Sequence, residues 1–176
     1  EAVLDRGYEV LYLTDDVDEF ALMVLQEYEG KSFKNVAAED ARVQTEEEKQ
    51  AAEKQAEENK ALLEKMKTIL GERVKDVRVS TELGSHAVTM VPDGGMSFEM
   101  EKYMHTVDPS SDYHCGRILE VNPEHPLLQR LSESRESDPE RARKLAELLY
   151  DQGLLMANLP LEDPTAYTDL VCALIG

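Results

Sequence analysis

Apolar residues recur along this chain at two spacings, one helical and one alternating, and the last third carries the clearest helical pattern. Ala142, Leu145, Ala146, Leu149 and Met156 share one helical face, which Leu148, Leu154 and Leu155 widen. Asp138-Pro139 opens that helix, with Asp as N-cap and Pro at a position where no hydrogen bond is lost. Asn158-Leu159-Pro160 stops it. Asp163-Pro164 then opens a second helix, with Ala166, Tyr167, Leu170, Val171, Leu174 and Ile175 on one side. A helical hairpin with two apolar sides needs a cover, supplied either by its own domain or by a second copy of itself. The pattern leaves both open.

Upstream, Val10-Leu11-Tyr12-Leu13 is too short for a helix and predicts a strand buried on both faces. After the acidic turn Asp15-Asp16, the residues Val17, Phe20, Ala21, Val24 and Leu25 predict a helix that Gly30 ends. Ser32 to Val36 predicts a second short strand. The two strands and helix read as the end of an α/β unit, and the polar stretch 37–44 as a domain boundary. Glu1 to Arg6 looks like a helix tail capped by Gly7, so the sequence is expected to continue a larger protein.

Thr45-Glu46-Glu47-Glu48 is a capping box, and it predicts a single helix to about Leu70, with Gly71 as its stop. Its stripe is Ala52, Ala56, Leu63, Met66 and Leu70, interrupted by Asn59, and its first half is too polar for burial. Val77 and Val79 alternate with polar residues as in a strand. His86 to Val91 is expected to pair with it through the turn Glu82-Leu83-Gly84-Ser85, with Ile118 to Val121 as a third strand. Asn122-Pro123 is expected to open a further helix, with His125 in its first turn. The expected fold class is therefore α+β. Residues 1–40 close one unit; residues 41–176 form a second domain with a long helix, a small, mostly antiparallel three-stranded sheet and a terminal helical hairpin.

Met96, Met100, Tyr103, Met104 and Val107 fall on one face of a short helix, with Phe98 beside it, between Gly94-Gly95 and the polar loop 108–112. A methionine-rich face adapts to many partner shapes, whereas the ordinary reading is core under the small sheet.

Charge narrows the partners. Asp plus Glu number 37 against 19 Lys plus Arg, a net charge of −18, which repels phosphate backbones and anionic lipid. Neither nucleic acid nor membrane is an expected partner, and no apolar run approaches the length of a membrane span. Cys115 and Cys172 lie far apart without C-x-x-C spacing, which suits a reducing compartment. Asp15-Asp16-Val17-Asp18-Glu19 lacks the glycine and later Glu of a calcium loop. His114-Cys115 with His125 is the Cys/His cluster from which a small enzyme would be built, yet sequence shows only adjacency. Asp93-Gly94-Gly95 is a turn without a phosphate loop's Lys-Ser/Thr. No catalytic residue and no metal ligand is predicted.

Several blocks in order resemble one family. They are Glu9 to Leu13, Asp18-Glu19-Phe20, Glu27 to Lys31, Leu119 to His125, Leu148 to Gln152 and Leu161 to Pro164. Together the chain is similar to the heat-shock protein 90 chaperones, most closely the bacterial high-temperature protein G type. The resemblance implies the end of a middle domain followed by a C-terminal dimerisation domain, within a cytoplasmic, ATP-driven homodimer. It places ATP and magnesium in an absent N-terminal domain and a catalytic arginine earlier in the middle domain, so this stretch is expected to need no cofactor and to hydrolyse no ATP. It implies a four-helix bundle in the dimer, with Leu145, Leu148, Leu149, Leu155, Tyr167, Leu170, Val171 and Leu174 at the interface. It further implies contact with unfolded client protein through Met96, Phe98, Met100, Tyr103 and Met104, joined by Glu19 and Phe20. Phe20 stands where bacterial members often have tryptophan. The eukaryotic Met-Glu-Glu-Val-Asp tail is not found here. A passive dimerisation scaffold without a client site is the alternative.

Overall fold

The computed structural model describes residues 8–15, 17–33, 46–81, 83–94, 97–110 and 114–175, with the side chains of 46–49 left out. The expected helix tail at 1–7, boundary at 37–44 and Thr45 capping box lie outside those residues. In chain order the elements are α1 (Asp18–Leu25), β1 (Glu27–Tyr28), β2 (Lys31–Ser32), α2 (Glu46–Glu58), α3 (Lys60–Leu70), β3 (Asp76–Val79), β4 (Val88–Pro92), α4 (Phe98–Val107), β5 (Arg117–Val121), α5 (Pro126–Ser137), α6 (Pro139–Met156) and α7 (Pro164–Ile175). The class is mixed α and β. By contact the chain forms two compact units, Glu1–Val43 with Gly94–Cys115, and Gln44–Asp93 with Gly116–Gly176.

In the first unit the helix of the expected strand–helix–strand arrangement forms, the first strand does not, and the second, Ser32 to Val36, lies mostly outside the described residues. Val10 to Leu13 is not a strand, and Leu11 and Tyr12 are 62% and 81% exposed. A doubly buried strand needs partners for its amides and carbonyls, and no described segment pairs with this one. Gln26, at φ 58°, ends α1 with its N–H bonded to the Leu22 carbonyl. Gly30 therefore does not stop the helix. It takes φ 75° in the turn of an antiparallel hairpin, where Glu27 faces Ser32 and Tyr28 faces Lys31.

The second unit is built around β5. The sheet order is β3-β5-β4, with β3 parallel and β4 antiparallel to the centre, so the expected β3–β4 pairing and mostly antiparallel sheet are both overturned. A short connection makes adjacency the default. Here Ile118, Leu119, Glu120 and Val121 are all at or below 4% exposed, and a strand buried on both faces belongs in the middle. Half-polar β3 and Pro92-ended β4 suit the edges. At the base of the sheet, the Asp93 N–H bonds to the Gly116 carbonyl at 2.7 Å.

α6 lies across β4, with α3 and α5 also against it. Gly153 permits this approach: a Cβ there would stand 2.8 Å from Leu119 Cδ1. The expected long helix is two, because Asn59 leaves the helical region and its side chain donates to the Gln55 carbonyl. Leu62, Met66 and Leu70 are the buried residues of α3, and Leu63 is only half-buried. Asn122 does not cap α5. Its side chain closes a turn onto Glu124 N, and His125 Nδ1 accepts from Leu127 N as the true N-cap, with Pro126 first in the helix.

Candidate functional site

Two surfaces gather the residues singled out in the sequence. The first is the α6–α7 hairpin. Asp138 Oδ1 accepts from Arg141 N, Asp163 Oδ1 accepts from Thr165 N and Ala166 N, and both helices begin where the sequence places them. Arg117 Nη1 donates to Tyr150 Oη at 3.1 Å, and that hydroxyl donates to Glu162 Oε1 at 2.8 Å, so the link between the helices is held to α6 and β5. The Arg73 guanidinium covers the Tyr150 ring at 5.0 Å. Burial pushes the neighbouring Asp151 carboxyl up to about 6; Arg73 opposes the shift, while Glu162, Glu147 and Asp163 add to it.

The interface residues implied by the resemblance divide. Leu145, Leu148 and Leu149 are already buried within their own chain, whereas Leu155 is 48% exposed. On α7 no residue is buried: Tyr167, Leu170, Val171 and Leu174 are half-buried, and Ile175 is 82% exposed. Leu145, Leu148, Tyr167, Val171 and Leu174 line a groove of about 320 Å³ together with Arg141.

The second surface is α4 with α1. The Ser97 hydroxyl accepts from Met100 N as the helix N-cap and donates to Glu19 Oε2. The Phe20 and Tyr103 rings meet edge to face at 5.2 Å. Glu19, Phe20 and Tyr103 are thus brought together, with Met104 half-buried on the same helix. Phe98 and Met100 point inward, at 7% and 2% exposed. Val107 is 64% exposed, so the buried face is turned from the expected stripe toward Phe98, Met100 and Glu101. Met96 lies outside the described residues.

The expected Cys/His grouping is rearranged. His125 caps α5 in the other unit, and the Cys115 thiol donates to the Ser97 carbonyl. His114 Nδ1 lies 3.2 Å from Glu101 Oε1, and its ring is 5.0 Å from that of His105. Glu101 and His105 were missed in the sequence. The signal was there in their four-residue spacing, but His114 is nine positions further and only the fold returns it. In the acidic cluster, Asp18 Oδ2 accepts from Thr14 N and Asp15 N, shaping the approach to α1.

Residues 1–176 match the model of the family described as Hsp90 protein. The chain belongs to the Hsp90 family. It is 43% identical over 172 residues to the chaperone protein HtpG of Shouchella clausii, covering 98% of this chain and 27% of that protein. It is 40% identical over 172 residues to HtpG of Bacillus subtilis, with 98% and 28% covered. Against HtpG of Halalkalibacterium halodurans it is 41% identical over 176 residues, 100% of this chain and 28% of that one. The chain therefore spans just over a quarter of these Hsp90 relatives. Among the described residues no helix is long and apolar enough to cross a membrane.

Proposed function

We propose that this segment is the self-associating and client-contacting end of an ATP-driven chaperone. One observation carries the reading: α7 is apolar along much of its length and buries none of its side chains. A helix this short is marginal alone in water and depends on tertiary cover, and among the helices and strands described α7 has substantial contact only with α6. A second α6–α7 pair, completing a four-helix bundle, is the cover its pattern fits. Leu155, Tyr167, Leu170, Val171 and Leu174 then make the contact, while Leu145, Leu148 and Leu149 back it from within each chain. Joining two chains here turns closure of their distant arms into an intramolecular event. Nucleotide and magnesium belong to other parts of the full-length cytoplasmic protein, and the segment itself makes and breaks no bonds. Phe20, Tyr103 and Met104 offer adaptable apolar contacts to unfolded protein over Phe98 and Met100, Glu19 adds a charged one, and Met96 belongs to the same expected set. The names of the Hsp90 relatives support the chaperone role.

Sedimentation velocity over a range of concentrations tests the association. A dimer at micromolar concentration is expected, and Val171→Asp with Leu174→Asp is expected to give a monomer whose core stays folded, with any loss of helicity no larger than α7 itself. A wild-type monomer, or a dimeric variant, overturns the reading. For the client face, Tyr103→Asp with Met104→Asp is expected to weaken suppression of aggregation of an unfolded protein while leaving the dimer intact. Unchanged suppression would reduce the segment to a passive dimerisation scaffold.

A further inference from the structure

The first unit contains a cluster that neither surface uses. We propose that Glu101, His105 and His114 bind a divalent transition ion, zinc by the chemistry of the donors. Glu101 and His105 are one turn apart on α4 and share a face. His114 returns to them from beyond the end of that helix. Each residue offers one ligand atom, and these atoms lie within 4.8 Å of one another. Around a tetrahedral zinc with bonds of about 2.0–2.2 Å, donors stand roughly 3.3 Å apart, so small side-chain rotations complete the set. Glu101 Oε1 and His114 Nδ1 are already 3.2 Å apart.

Three further features distinguish this cluster from a chance meeting of polar groups. His105 Nε2 is buried without a hydrogen-bond partner, an unfavourable state for a ring nitrogen that an ion would relieve. Glu101 is itself buried, and its Oε2 accepts from Cys115 N at 2.7 Å, which fixes the carboxylate with Oε1 toward His114. The His114 side chain is 63% exposed, giving an ion a way in and leaving a coordination position for water. Two imidazoles and one carboxylate favour zinc and its neighbours over calcium or magnesium, which prefer oxygen alone. Bound there, the ion would tie the middle of α4 to the segment leading into β5.

Calorimetric titration of zinc chloride into the metal-stripped chain, in a non-chelating buffer, decides the matter. One equivalent is expected to bind to the wild type, and His105→Ala or His114→Ala to weaken it by at least about 100-fold, more than loss of an outer-shell partner usually costs. His86→Ala, which removes an exposed imidazole outside the cluster, is expected to bind as wild type, and magnesium or calcium to give no heat. The exposure of His114 makes its variant safe for folding, with circular dichroism as the check, so it decides the question even if His105→Ala unfolds. Absence of zinc uptake by the wild type, or an unchanged isotherm in His114→Ala, overturns the site.

Discussion

Helices α6 and α7 start alike and end differently. Each follows an Asp-Pro pair whose aspartate accepts first-turn amides, and each repeats apolar residues at helical spacing. α6 buries Ala142, Leu145, Ala146, Leu149, Tyr150 and Leu154 almost completely, while α7 buries nothing. Local sequence makes both helices; burial depends on what stands opposite. α6 meets β4, α3 and α5, whereas among the helices and strands described α7 has substantial contact only with α6.

The largest expected effect comes from cutting into the covered helix. Leu149→Ala should cost about 2–5 kcal/mol in urea denaturation, independent of protein concentration, because the cavity opens inside one chain. Leu170→Ala should behave in the opposite way, with little effect in dilute solution and a growing deficit in Tm as concentration rises. Equal, concentration-independent losses would erase the contrast between the helices.

A smaller effect sharpens it. Asp138→Ala and Asp163→Ala each remove a cap worth about 1 kcal/mol. The first should lower global stability by that amount. The second should speed amide exchange in α7 and weaken the dimer while leaving the core's exchange unchanged.

The smallest effect concerns Asp151. Its carboxyl titrates near 6 in the fold and near 3.9 when unfolded, so the folded state holds the proton more tightly. That contribution is fully present below about pH 4 and is lost as pH rises through 6. Asp151→Asn should therefore stabilise at pH 7 by no more than about 1 kcal/mol, given the group's partial exposure, and gain nothing at pH 4. Urea midpoints at the two pH values measure it.

Helix starts were legible in the sequence where an Asp-Pro pair marks the cap, as at Asp138 and Asp163. Asn122 misled because Asx turns and N-caps use the same side chain, and only tertiary placement shows His125 taking the role. Strand segments were visible in Val77, Val79 and Ile118 to Val121, but strand order was not. It follows from which strand finds cover on both faces, a property of the assembled unit. Val10 to Leu13 shows the converse, an apolar run with no partner among the described residues. The α4 stripe was found one face away from its true orientation, since Glu101 counts as polar in any pattern yet is buried through bonds to Cys115 and His114. Of the candidate surfaces, the apolar face of α7 could be anticipated because its N-cap and its periodicity are local, whereas its exposure could not, since cover depends on what stands opposite.

Residues 94–115 leave the sheet after β4 and return to it at β5, and the Asp93–Gly116 hydrogen bond clasps the two ends. Closing such an excursion costs entropy that grows only with the logarithm of its length. Evolution can therefore lengthen, shorten or rewrite this α4-bearing insert with little penalty to strand register, so the scaffold can stay constant while the insert diverges.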